Sequence, residues 1–406
     1  MTLSPYQHAQ AITMIDKAIA HAENGTTDWA PSVYRVPVED YLSETRWREE
    51  MDATFMRLPL LLAFTCEMPR PGDYKTMKVL DVPVLIVRGR DDRVRAFMNV
   101  CTHRGATLTS RPHGNCARFV CPYHAWTFND QGVLMGVADP AKFGDVDTAE
   151  RHLKELPCEE RAGMIFVGLT PGLTFDLEQY LGGMLAEVES FGLETWHMHH
   201  QNSLESANWK VTHDGYLETY HIPFLHSKTL WTAGAAPSVV MVYEAFGEHP
   251  FGPHQRMSGT GRGGDIVAMK STPKSEWTRD EYYHAVRTIF PNISIAMSNT
   301  GGMISQLFPI SPDRCITIQN HLYPKAPETD REREEYDARV ELLIQAVRDE
   351  DYKTGFDIQA GLKSGAIKDF LFGRNEIGPQ RWHTAVDHYV DELRHGVGST
   401  HRLAAE

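Results

Sequence analysis

Between residues 6 and 21 apolar side chains recur at helical spacing, with Ala9, Ile12, Ile15 and Ile19 on one face. The stretch predicts an amphipathic helix that Asn24-Gly25 ends. A second amphipathic segment covers roughly residues 38 to 55. From Pro69 to about residue 168 the period changes to short β-rich runs punctuated by Gly and Pro. Val84 to Val87, Val94 to Val100, Phe119-Val120 and Met164 to Val167 are the clearest. Helical spacing returns over 176–190, over 207–221 after an Asn/Trp start, over 328–350 and over 381–395. In the third of these, Tyr336, Val340, Leu343 and Val347 face inward. Between the second and third lie strand-like runs: MVYEAF, TIFPNISIAM, MISQLFPI and CITIQNHLY. Strands with helices segregated to the ends predict an α+β fold for the larger part of the chain. Residues 249–264, rich in Gly and Pro, predict a mobile loop.

Length and charge narrow the picture. The 406 residues have room for more than one core. A net charge of −14 argues against a general role on nucleic acid or anionic membranes. The longest apolar run, Leu58 to Phe64, is far too short to span a bilayer, and no secretory core follows Met1. The six cysteines show no disulfide-framework spacing, so reduced thiols in a cytoplasmic protein are expected.

Four residues in the β-rich stretch carry specific chemistry. Cys101-x-His103 is followed after seventeen residues by Cys121-x-x-His124. Two thiolates and two imidazoles in paired loops suit a [2Fe–2S] cluster with two cysteines on one iron and two histidines on the other. Neutral imidazoles in place of two thiolates raise its potential, giving a one-electron donor of moderate strength. The alternative is a structural zinc site, although zinc sites normally group a Cys pair and then a His pair.

A second cluster follows in NWKVTHDGYLETYHIPFLH, where Glu218, His221 and His226 stand close together. Glu218 and His221 share a helical face, but His221 and His226 differ by about 140° on a regular helix. Pro223 is expected to end the helix just after His221 and let His226 swing back. Two histidines and a distant carboxylate would form a facial triad with open positions on Fe(II). Several acids could supply the carboxylate: Asp351, with Glu350 and Asp357 as near rivals and Asp214 and Glu218 as local ones.

With RAFMNVCTHRG, CPYHAWTF, NWK…LETYHIPFLH and the later ED…Q pattern in view, the chain resembles the α subunit of Rieske non-haem iron oxygenases, the ring-hydroxylating family. The resemblance implies an all-β Rieske domain (59–168) inserted in a helix-grip, START-like catalytic domain (169–406), to which residues 1–58 belong. It implies a Rieske [2Fe–2S] cluster, a mononuclear Fe(II), O2 as co-substrate and NAD(P)H as electron source through a reductase or ferredoxin. It also implies a homotrimer, with or without a β subunit. Electrons pass between subunits, with Glu218 linking His221 to His124 of the neighbour. Asp351 and Gln359 match the spacing of the family's third iron ligand and a following Gln. One departure is Asp214-Gly215, where many members carry an acid-Asn pair; Asp214 is expected to hold a neighbouring histidine such as His213.

The implied activity is hydroxylation of an aromatic or largely apolar ring, most simply to a cis-dihydrodiol. Monooxygenation, including demethylation, is the alternative, and a pure electron carrier is the reading from another class. Arg88, Arg90, Arg93, Arg95, Arg104, Arg111 and Arg118 stand against only Asp91 and Asp92, which suggests a docking face for an acidic electron donor. His197, His199 and His200 read as ordinary histidines rather than ligands. Trp126, Phe128 and Trp209 read as packing residues. Trp231, Phe246, Phe251, Phe290 and Phe308 read as core, with a pocket lining as the alternative.

Overall fold

The computed structural model describes residues 4–230, 240–244, 252–260, 263–277 and 284–395. Trp231, Phe246 and Phe251 lie outside them. The chain divides into two compact units. One comprises Met1–Thr54, Glu178–Gly192 and Trp196–Glu406, the other Phe55–Leu177 and Leu193–Thr195.

The smaller unit is built of β-strands. Asp73–Val79, Val82–Arg88 and Val94–Met98 form the middle of a five-stranded antiparallel sheet edged by His113–Asn115 and Glu155–Leu156. Val84, Leu85, Ile86 and Val87 are all fully buried, so both faces of the central strand are covered. Arg118–Val120, Thr127–Asn129 and Leu134–Gly136 form a separate three-stranded sheet. Tyr74, Leu85, Val87, Phe97, Phe119, Trp126 and Phe128 make one core, and Cys101 and Cys121 belong to it.

The larger unit carries a seven-stranded antiparallel sheet in the order His197–Ser206, Arg314–Tyr323, Gly301–Ser311, Ile293–Ser298, His284–Ile289, Gln255–Thr260, Val240–Glu244. The helix Pro5–Asn24 starts at a Ser4 capping box with Gln7 and stops at Gly25, whose φ of 62° is left-handed. Its buried stripe is Ala11, Met14, Ile15, Ala18 and Ile19, with Ala9 exposed. The stripe turns this way because it packs on Val242, Ile266, Met269 and Trp277.

Several elements differ from expectation. The helix over 176–190 is broken at Gly182 (φ 50°) into Leu177–Leu181 and Gly183–Glu189. Gln255–Thr260, inside the expected loop, is an interior strand whose buried Arg256 pairs with Glu187 at 2.8 Å. His197–Ser206 is a strand that weak alternation hid. It pairs along Arg314–Tyr323, and His199 bonds Asp337 at 2.7 Å. The helix Asp330–Gln345 continues through a π-helical turn, Ala346–Tyr352, into Lys353–Lys363. Phe290 and Phe308 are core residues. None of the six cysteines is in a disulfide, and among the described residues no helix is long and apolar enough to cross a membrane.

Candidate metal centres

The four residues of the first motif sit on two loops of one design. In the first, the Cys101 N–H donates to Ala106 O (2.8 Å) and the Gly105 N–H to Cys101 O (2.9 Å). In the second, the Cys121 N–H donates to Trp126 O (2.8 Å) and the Ala125 N–H to Cys121 O (3.0 Å). The fifth residue of each loop is left-handed, Gly105 at φ 77° and Ala125 at φ 56°. Glycine takes that conformation freely, whereas alanine is strained there. Both cysteines are buried and both histidines half-buried, so the thiols point into the core side and the imidazoles outward.

The imidazoles are brought together. The rings of His103 and His124 lie 4.8 Å apart. His103 stacks on Trp126 at 4.8 Å, Tyr123 stacks on His124 at 3.6 Å, and Phe143 meets His103 edge-on. Burial, with the neighbouring Cys121 thiol, pushes the Cys101 thiol up. The buried His124 Nδ1 has no partner among the described residues. Two close thiols and an unpaired imidazole nitrogen are costly without a metal, so the donor set fits the [2Fe–2S] group.

The surrounding arginines do not form one free face. Arg88 is buried against Glu160 at 2.6 Å, and Arg95 is held by Asp91 at 2.7 Å. Arg90 faces Asp130 at 3.5 Å. Asp130 and Glu160 lie outside residues 88–118, which is why the expected excess shrinks.

The second centre starts at Asn208, which caps the helix Trp209–Asp214 by accepting from Lys210 N (2.7 Å) and Val211 N (3.3 Å). The buried Trp209 and Lys210 both bond Glu50, anchoring the helix start. The helix ends at Asp214, not after His221. The backbone then passes Gly378, where a Cβ would run into Leu217 O. Pro223 opens a second short helix, Ile222–Leu225, with His221 and His226 flanking it as caps. The expected helix-ending proline is therefore a helix-starting one, as suits a residue with no N–H to offer. Glu218 lies in the irregular segment, and its carboxylate accepts from the backbone N–H of Tyr220 and His221.

The π-helical turn meets this segment. His226 Nε2 lies 3.0 Å and His221 Nε2 3.7 Å from Asp351 Oδ1. One donor atom from each of the three lies within 4.8 Å of the others. The opposite ring nitrogens are held by carboxylates, His221 Nδ1 by Glu218 and His226 Nδ1 by Glu350 at 2.6 Å. Thr229 also donates to Glu350 at 2.6 Å. Burial lowers the basicity of both imidazoles, but the facing carboxylates outweigh it and leave both pKa values raised. Three carboxylates around two histidines leave an excess of negative charge that a divalent cation would offset, so the set fits Fe(II).

Glu350 is thus a partner of His226 rather than a third donor, and Asp357 is exposed. Gln359 is buried and accepts from Asn208 N at 3.2 Å. Asp214 does not hold His213. It accepts from Tyr41 at 3.0 Å and meets His383 at 2.9 Å, while both His213 ring nitrogens are unpaired among the described residues. Burial pushes the His213 pKa down to about 3. A cavity of about 360 Å³ opens beside Glu218, His221 and Asp351, lined also by Phe370, Phe372 and Glu376. Spacing alone gave no signal for Thr229 or for the contact between Asp214 and His383.

Comparison with known proteins agrees with both centres. Residues 59–154 match the Rieske [2Fe-2S] domain model, and residues 193–392 match the ring hydroxylating alpha subunit (catalytic domain) model. The carnitine monooxygenase oxygenase subunit of Escherichia coli (strain K12) is 26% identical over 382 residues, covering 92% of this chain and 93% of the relative. The glycine betaine monooxygenase oxygenase subunit of Pseudomonas aeruginosa (strain UCBPP-PA14) is 31% identical over 200 residues, 49% of this chain and 46% of the relative. The crystal structure of the quaternary ammonium Rieske monooxygenase CntA superposes with a TM-score of 0.75 at 22% identity, covering 91% of this chain and 98% of that one.

Proposed function

The chain belongs to the Rieske non-haem iron oxygenases as an α subunit, and from that premise we propose that it is a terminal monooxygenase acting on a quaternary ammonium substrate. The resemblance by itself puts cis-dihydroxylation of an aromatic ring first and monooxygenation second. The order reverses, because the carnitine enzyme matches along nearly the whole chain and both relatives are monooxygenase subunits. Aromatic ring hydroxylation and catabolism are set aside for the same reason.

The observation that carries the site is the convergence of the His221 and His226 Nε2 atoms on Asp351 while Glu218 and Glu350 hold the opposite nitrogens. We assign His221, His226 and Asp351 as iron ligands, and Cys101, His103, Cys121 and His124 as cluster ligands. When bound, the iron and the cluster would each supply one electron, which together with two protons from solvent would let O2 yield one inserted oxygen atom and one water. Glu350 keeps a proton on His226 Nδ1, so its Nε2 lone pair stays free, and Glu218 does the same for His221. The NAD(P)H-derived electrons arrive through a reductase, with or without a ferredoxin.

Glu218 is further proposed to reach the partner subunit's His124 in a homotrimer. Exposed apolar side chains beside Glu218 (Tyr220, Phe224 and Leu371) and beside the cluster loops (Val120, Tyr123 and Phe143) support such contacts. A stable, fully active monomer in light scattering would overturn this assembly.

The activity test is O2 uptake by the iron-loaded protein with NAD(P)H and a reductase. L-carnitine or glycine betaine is expected to stimulate uptake, and stimulation by indole alone would restore the aromatic reading. His221→Ala is expected to abolish turnover and keep the cluster spectrum, whereas an electron carrier would keep full function.

A further inference from the structure

One face of the seven-stranded sheet carries a row that the metal ligands do not explain. Asn202, Gln319, Ser305, Ser294, Thr288 and Gln255 stand directly opposite one another across six consecutive strands. Gln319 and Ser305 are fully buried, and Ser294, Thr288 and Gln255 are nearly so. Asn202 Nδ2 donates to Gln319 Oε1 at 2.9 Å, and Gln255 Nε2 to Gly378 O at 3.1 Å. Much of the row's bonding capacity is unspent. Asn202 Oδ1, Ser294 Oγ and Gln255 Oε1 have no partner among the described residues. Ser305 Oγ and Gln319 Nε2 turn toward the Tyr216 hydroxyl without closing a hydrogen bond.

The other face of the same strands behaves differently. Asn320 Nδ2 donates to Gln306 Oε1 at 2.9 Å, and Gln201 Nε2 to Asn320 Oδ1 at 2.7 Å. Arg287 closes on Glu187 at 2.7 Å. Buried polar groups are paired there, as is general in folded proteins. Among the described residues, only the face with the row leaves several unpaired together.

That face is turned to the iron-site elements. Met303, two residues before Ser305, packs with Tyr216, Val347 and Tyr352. Tyr352 follows Asp351 in the chain, and its hydroxyl bonds that of Tyr216 at 2.9 Å.

We propose that this row is the substrate-positioning wall of the iron site, and that it takes the hydrogen-bonding, oxygen-bearing end of a small polar substrate. The inference rests on the assignment of His221, His226 and Asp351 as iron ligands. The row holds no charged side chain, so it reads the substrate through neutral hydrogen bonds. A carboxylate can accept from the Ser294 and Ser305 hydroxyls and from Gln319 Nε2, which stand on three adjacent strands, and a substrate hydroxyl can also donate to an unpaired acceptor. A hydrocarbon ring pressed against them keeps them desolvated and unpaired, so such a wall rejects it.

The test is calorimetric binding of L-carnitine, glycine betaine, lactate and indole to iron-loaded holoenzyme, as wild type, Ser294→Ala and Gln319→Leu. The wild type is expected to bind at least one polar probe. Both variants are expected to weaken it at least tenfold, with iron content and cluster EPR unchanged and indole binding no weaker. Unchanged affinity in the variants, with a raised Tm, makes the row structural and overturns the proposal. A wild type that binds no polar probe at millimolar concentration overturns it too. Should Gln319→Leu fail to fold, the single-hydroxyl deletions Ser294→Ala and Ser305→Ala decide. If lactate binding depends on the row while carnitine and betaine are not oxidised, the wall stands and the quaternary ammonium reading falls. If carnitine is oxidised equally by all variants, that reading stands and the wall falls.

Discussion

The two candidate metal centres are built in opposite ways. Each cluster loop is closed by its own backbone, from Cys101 to Ala106 and from Cys121 to Trp126, and each delivers a Cys and a His within a few residues. The mononuclear site has no such local closure. His221 and His226 come from an irregular segment around one short helix, and Glu350 reaches His226 from 124 positions further along. Glu350 and Asp351 are adjacent, yet they grip Nδ1 and Nε2 of the same ring. On a regular helix such neighbours diverge by about 100°. Here they sit in the π-helical turn Ala346–Tyr352, a distortion that recurs at functional sites. Ligands held by local hydrogen bonds leave a spacing signature, and ligands held by tertiary packing do not.

The largest expected effect tests whether the centres are independent. Cys121→Ser should remove the cluster's visible absorption and EPR signal and lower the iron content from about three per chain to about one. Asp351→Ala should abolish turnover but keep the EPR signal, with about two irons per chain. Loss of all iron in either variant would break the contrast. Next, Glu350→Gln should weaken the mononuclear iron roughly 10–100-fold while leaving the cluster intact, as read by iron titration. Unchanged affinity would mean that Glu350 does not orient His226.

A smaller effect concerns His213, on the helix that leads into the mononuclear site. Its folded pKa is about 3, below the ordinary histidine value of about 6.5. The unfolded chain therefore takes up the proton first. The stability carried by neutral His213 is full above about pH 6.5 and is lost as pH falls toward 3. His213→Leu should flatten the fall in Tm between neutral pH and pH 5, and an identical profile would exclude His213 as a cause. The smallest effect sharpens the symmetry of the cluster loops. Ala125→Gly should relieve the left-handed strain and raise stability by about 1 kcal/mol in denaturant unfolding. Gly105→Ala should lower it by a similar amount.

Much of the first centre was legible because its geometry is local. Both loops were placed in the β region from the spacing of Cys101, His103, Cys121 and His124, and the structure brings the two imidazoles together. The structure brings His221, His226 and Asp351 together, though by a local route other than the expected one. Pro223 was read as a helix stop, although it starts a turn that His221 caps. Asp214 was matched to its chain neighbour His213, yet its partner is His383, which only the C-terminal helix Ile377–His395 can deliver. The arginine excess looked like one face until Glu160 and Asp130 folded against it.

Sequence by itself therefore determined the donor types, the β-rich and α+β regions and the family, because hydrophobic period and ligand spacing are properties of short stretches. Tertiary structure alone decided which carboxylate faces the two Nε2 atoms and which one holds Nδ1. It also decided that six separate polar residues, five of them buried, form one row. Those choices depend on π-helical phase and on strand register. Register joins residues far apart in the chain, and a slip of one position would turn every one of them to the other face.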